Sequence, residues 1–123
     1  MIKVMKQINS INASGYGSFI PGIDHEFLGV GIYQLSFGID TFRIFRCGFS
    51  ILSKGLEKNV YFKNIKKIRS HLNASIFSEA SQERKFDILL PLAIEASDDE
   101  VVVEVPLLIY SRLLIVLNEM RDL

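Results

Sequence analysis

Only one pairing of a nucleophile with a base is open to this chain. Cys47 stands beside Arg46, a cation that favours a thiolate, and His71 is a base that could take its proton. No local pattern brings the two together, and Cys47 falls on an apolar strand face, so it is expected as a small buried hydrophobe. Asp24-His25-Glu26 offers ligating and acid–base groups, but in an extended chain His25 points away from both neighbours. Three such side chains do not converge on one ion without a special turn, and a surface turn is expected. Ser97-Asp98-Asp99 is turn chemistry before it is metal chemistry, because carboxylates at a hairpin tip stay in water. The glycines at 15, 17 and 22 lack the following Lys-Ser or Lys-Thr of a phosphate loop and miss the dinucleotide spacing. Ser and Glu appear in no nucleophile elbow or paired-carboxylate setting. The expectation is therefore no catalytic residue, no metal, no cofactor and no enzyme.

What remains is charge, and its distribution is uneven. Fourteen basic residues balance fourteen acidic ones, which argues against a nucleic-acid partner, since such proteins carry a basic excess for phosphates. Yet eight of the basic residues (Arg43, Arg46, Lys54, Lys58, Lys63, Lys66, Lys67 and Arg69) lie between Thr41 and Arg69, where Glu57 is the one acid. From Ser70 onward four basic residues face ten acidic ones. The plain reading of such a run is a solvated face, and any electrostatic partner is to be sought on the central segment or on a second copy of the same chain.

A single cysteine gives no internal disulfide and suits a reducing compartment. Lys3 and Lys6 are followed by polar residues rather than the apolar stretch of a signal peptide. The most apolar window, Val101 to Leu117, is broken by Glu104, Pro106 and Arg112 and is too short to span a bilayer. A soluble, cytoplasmic protein is expected.

The elements that must position these groups are legible from periodicity and punctuation. All eight glycines lie between Gly15 and Gly55, marking the first half as turn-rich. Residues 1–26 are expected as a lead, either a short helix or disordered at its start, followed by a glycine-rich loop, with one domain over residues 27–123. Phe27 to Phe37 and Thr41 to Ser53 have the aromatic and β-branched content of two long strands. In the second, Arg43, Phe45, Cys47, Phe49 and Ile51 share the expected core face. Val60-Tyr61-Phe62 opens a third strand. The spacing of Phe62, Ile65 and Ile68 then requires a bulge or a short helical turn, which sends Lys63, Lys66, Lys67 and Arg69 to solvent. A short strand is expected around Ala74-Ser75-Ile76-Phe77, and two more over Phe86 to Ile94 and Glu100 to Val105. Pro106 suits the first position of a helix running to about Arg121. Its apolar face is Leu107, Ile109, Tyr110, Leu113, Leu114, Val116, Leu117 and Met120, while Leu108 and Ile115 sit on the polar face as a candidate self-association contact.

The fold class expected is α+β, mainly β: a bent antiparallel sheet or partly open barrel capped by one C-terminal amphipathic helix. This order of strands, with the basic, irregular strand Val60 to Ile68 and a single terminal helix, resembles a pleckstrin-homology-like domain of the bacterial kind. The resemblance implies a bent barrel plugged by that helix and a binding or scaffolding role, since such folds recruit lipids, peptides or proteins and rarely catalyse. In phosphoinositide-binding members basic residues around the first hairpin clamp the headgroup. Arg43, Arg46, Lys54, Lys58 and Lys63 fall in or near a corresponding hairpin without reproducing that motif, so no lipid site is carried over.

The function expected is a small non-enzymatic module acting through protein–protein contacts and able to self-associate. An anionic lipid is a partner that no motif supports. The alternative is a small α+β ligand-binding protein or enzyme with a pocket between the C-terminal helix and the sheet, which Tyr110, Leu114 and Leu117 would close by filling it.

Overall fold

The computed structural model describes residues 2–37, 40–72, 74–83, 88–97 and 99–123. In chain order these form α1 (Ile2–Ala13), β1 (Ser18–Phe19), β2 (Gly31–Phe37), β3 (Asp40–Phe45), β4 (Gly48–Ser53) and β5 (Leu56–Tyr61). A 3₁₀ turn (Phe62–Asn64) then leads to β6 (Ile65–Ser70), α2 (Ala74–Glu83), β7 (Leu89–Ala96), β8 (Glu100–Pro106) and α3 (Leu107–Arg121). Every strand pairing is antiparallel: β1 to β5 form one sheet in sequence order, and β6, β7 and β8 form a second. The α+β class holds. Among the described residues there is no closed barrel.

The long strand expected over Thr41 to Ser53 is two strands. The chain reverses at Arg46 and Cys47, and Ile44 pairs with Phe49 while Phe42 pairs with Ile51. The buried set is therefore Phe42 and Ile44 on β3, then Phe49 and Ile51 on β4. Reversal changes the phase of the alternation, so a single odd-numbered face cannot run through the segment. Arg43 stays on the face opposite Phe42, and Cys47, expected in the core, is exposed at the turn. The next hairpin turns at Lys54 and Gly55, with φ of 52° and 79°, the left-handed pair that matches the twist of its strands.

Two further expectations change. The segment around Ala74 to Phe77, expected as a strand, begins α2. Pro106 ends β8 and caps α3 rather than occupying its first turn. The irregularity after Phe62 is the 3₁₀ turn, and it buries Ile65, half-buries Ile68 and leaves Lys63, Lys66, Lys67 and Arg69 exposed. Of the loop Ser97-Asp98-Asp99, Asp98 lies outside the described residues, as do Gly38 and residues 84–87.

One core joins the two sheets and two of the helices. Tyr33, Leu35, Phe42, Ile44 and Phe49 from the first sheet meet Leu92, Ile94, Val101, Val103 and Val105 from the second. α3 contributes Ile109, Tyr110, Leu113, Val116, Leu117 and Met120. Residues 1–26 contribute as well: Val4, Ile8 and Ile11, spaced at helical intervals, are buried in the same cluster, and α1 lies along α3. Lys3 pairs with Glu119 at 3.1 Å and Gln7 accepts from Arg112 at 3.4 Å. Tyr33 is wholly buried, donates its hydroxyl to Asn12 Oδ1 at 3.2 Å, and has its ionisation pushed up by loss of water.

A second, smaller cluster of Ile20, Leu28 and Phe45, with Tyr61 against it, is separate from the main core. It fastens the loop between Ile20 and Gly31.

Candidate functional site

The loop that carries Asp24-His25-Glu26 is tied by its own polar groups. His25 and Gly29 exchange backbone hydrogen bonds at 2.8 and 3.0 Å. His25 Nδ1 accepts from the N–H groups of Phe27 and Leu28 at 3.0 and 3.1 Å, which leaves its proton on Nε2, 3.5 Å from Glu57 Oε1. Asp24 Oδ1 accepts from the Gly31 N–H at 3.3 Å. Asp24 and His25 therefore tie a surface turn, as expected of this stretch. Among the described residues no group of three His, Cys, Asp or Glu side chains is placed to share a metal. With Leu28 fixed inward, the turn sends Phe27 outward, 62% exposed.

Cys47 is held in place from both sides. Its N–H donates to the Leu28 carbonyl at 2.9 Å, and its carbonyl accepts from the Phe62 N–H at 3.0 Å. His71, the base considered for it, instead donates its backbone N–H to the Tyr110 hydroxyl at 3.0 Å and lines no surface shared with the thiol. Among the described residues no hydrogen bond joins Cys47 to His71.

What Cys47 does line is a groove of about 420 Å³ at the C-terminal end of α3. Its apolar and aromatic lining comes from Phe27, Tyr61, Phe62, Met120 and Leu123, and its charges from Arg46, Lys63 and Arg121. Lys63 Nζ stands 5.5 Å from the centre of the Tyr61 ring, a cation held on an aromatic face. Arg121 also reaches Asp122 at 3.4 Å, just beyond the groove. Among the described residues no acidic side chain lines it. Four stretches of chain meet here (27, 46–47, 61–63 and 120–123), so charges far apart in sequence line one groove.

The rest of the basic segment is spent differently. Lys58 pairs with Asp99 and Arg69 with Glu100, both in the acidic β7–β8 region. Lys66 donates to the Ser97 carbonyl at 3.2 Å, and Arg43 to Gln34 Oε1 at 2.7 Å. The Asp99 carboxyl is held below the ordinary carboxylate range, first by its hydrogen bond from Lys58 and then by the Glu100 N–H. The charge asymmetry of the sequence is thus partly answered inside the chain. Lys54 stands at its hairpin tip and Lys67 on the exposed side of β6, away from the groove.

The expected self-association stripe on α3 is divided. Ile115 is half-buried between Arg112 and Glu119, the two residues that α1 engages, whereas Leu108 is 47% exposed. The chain's own first helix thus takes up part of the surface assigned to a second copy.

Beneath α3 the described side chains pack into the core. Tyr110, Leu113 and Leu117 are fully buried, with Leu114 half-buried against the same core. No family model matches the chain, and no curated protein or solved structure is significantly similar to it. No helix among the described residues is long and apolar enough to cross a membrane.

The sequence singles out Arg46, Cys47 and Lys63. It misses Phe27 and Arg121. The local signal for Phe27 was an aromatic next to a polar turn; for Arg121 there was only a cation in the last turn of a helix.

Proposed function

We propose that this protein is a non-enzymatic binding module of pleckstrin-homology-like form, which engages an anionic segment of a partner protein in the groove at the end of α3. One observation carries the reading: Arg46, Lys63 and Arg121, drawn from three different elements, line one groove with the exposed Phe27 and Leu123, and among the described residues no acidic side chain lines it. Cations at a surface raise the local concentration of an anionic partner and orient it, while the exposed apolar residues supply area to bury. Two further features support it. Tyr110 and Leu117 are fully buried beneath α3, which favours binding at the surface over binding in a pocket beneath the helix. The antiparallel sheets backed by a terminal helix also suit a surface-recruiting module.

The test is titration of the ¹⁵N-labelled protein with a short poly-glutamate peptide. Shifts are expected at the amides of Cys47, Lys63 and Arg121. They should weaken sharply between low and physiological salt and vanish in the triple variant Arg46→Ser, Lys63→Ser, Arg121→Ser. Substituting Lys54 and Lys67 by Ser serves as the control and should leave them unchanged. Shifts that ignore salt or survive the triple variant would end this reading.

A further inference from the structure

Resting on the reading of the groove as a binding surface, we infer that its occupant is an acidic protein segment carrying one aromatic anchor residue. Charge alone does not account for what lines the site. Phe27 is an aromatic side chain held 62% exposed by a turn in which His25 accepts the Phe27 and Leu28 N–H groups on Nδ1 and sets its ring 5.2 Å from Phe45 and 6.0 Å from Phe27. Leu123 is 64% exposed on the same rim. Exposed large apolar groups lining one groove mark a place where apolar surface is to be buried. Between them Tyr61 is half-buried with Lys63 against its ring, and Phe62 and Met120 lie buried beneath, so an incoming ring would pack against Phe27, Leu123 and the open part of Tyr61.

The volume and the charges set the rest of the occupant. About 420 Å³ holds one aromatic side chain with the backbone around it, not a folded element. Arg46, Lys63 and Arg121 line that volume from three elements, Arg121 also lying 3.4 Å from Asp122, so an acidic segment seated there meets cations along its length. An acidic residue, an aromatic and another acidic residue in sequence provide that pattern in an extended segment.

The test uses the intact protein and three acetylated, amidated pentapeptides: Asp-Glu-Phe-Glu-Asp, the same with Ala for Phe, and the uncharged Asn-Gln-Phe-Gln-Asn. Binding is read by amide shifts and by protection of the Cys47 thiol from iodoacetamide, a reporter inside the groove. The Phe peptide should bind about fivefold more tightly than the Ala peptide, the share of a partly buried ring. It should bind about tenfold more tightly than the uncharged one, the product of three exposed ion pairs. Phe27→Ala should erase the preference for Phe over Ala while leaving the preference for charge. Equal binding of the Phe and Ala peptides would overturn the aromatic anchor and leave the anionic reading standing. Equal binding of the charged and uncharged peptides, or no binding by any, would overturn both. Phosphatidylserine vesicles that protect Cys47 and exclude the Phe peptide would assign the groove to a membrane surface instead and overturn the inference.

Discussion

The hydroxyl of Tyr110 donates to the Pro91 carbonyl at 2.6 Å, joining α3 to the middle strand of the second sheet. The same oxygen accepts from the His71 N–H at 3.0 Å, so one side chain serves the segment after β6 as well. Tyr110 is fully buried. Removing the oxygen leaves a carbonyl and an N–H without their partner, a loss that exceeds the net worth of a hydrogen bond. Tyr110→Phe should cost about 1–3 kcal/mol in urea unfolding with an unchanged m-value. A loss below about 0.5 kcal/mol would mean that water replaces the hydroxyl at no cost.

Lys58 and Asp99 link the edge strand of the first sheet to the β7–β8 turn of the second. The hydrogen bond from Lys58 is the largest cause of the lowered Asp99 ionisation. A carboxyl whose folded value is depressed stabilises the fold above its unfolded value, near 3.8, and loses that contribution as pH falls through the folded value. The pair is solvent-exposed, so the stability change is small and the titration itself is the readout. Lys58→Met should bring the Asp99 midpoint, followed by carboxyl ¹³C shifts, up toward the ordinary range. An unmoved midpoint would assign the depression to the Glu100 N–H alone.

Much of the scaffold was legible because periodicity reports burial. The apolar face expected of α3 is the buried one, with only Leu114 halfway, and the break after Phe62 was demanded by the spacing of Ile65 and Ile68. The reversal at Arg46 and Cys47 was not, because Phe42, Ile44, Phe45 and Phe49 are apolar at both parities and the turn itself holds neither Pro nor Asn. That error carried Cys47 into the core. α2 was missed because Ile76 and Phe77 favour a strand locally, and helical context overrides so short a signal. The groove was illegible in principle: its three cations are 17 and 58 residues apart along the chain, and only the approach of α3 to the β3–β4 turn makes them neighbours.

The exposure of Cys47 at the turn is directly measurable. A thiol at a turn reacts at a rate set by access, whereas a core thiol reacts only when the protein opens. Native protein should therefore consume one equivalent of a disulfide reagent such as dithionitrobenzoate without denaturant, at a rate within about tenfold of the urea-unfolded chain. Slow reaction that tracks global unfolding would return Cys47 to the interior and remove the reversal at Arg46.

Gly48, the next residue, determines how closely β4 and β5 approach at the groove. A Cβ there would stand 2.2 Å from the Val60 carbonyl oxygen and 2.7 Å from a Leu28 methyl carbon. Backbone on one side and a fully buried leucine on the other leave no flexible side chain to yield. Gly48→Ala must therefore push β5 away or displace the loop that Leu28 anchors, and overpacking of this kind costs about 1–3 kcal/mol. The strain falls next to the Phe62 N–H that holds the Cys47 carbonyl. Hydrogen exchange at the Phe62 amide should accelerate more than at the amides of β7, where the second sheet is untouched. Uniform acceleration across both sheets would show instead that the two form one cooperative unit, with the cost of the added methyl shared by the whole fold.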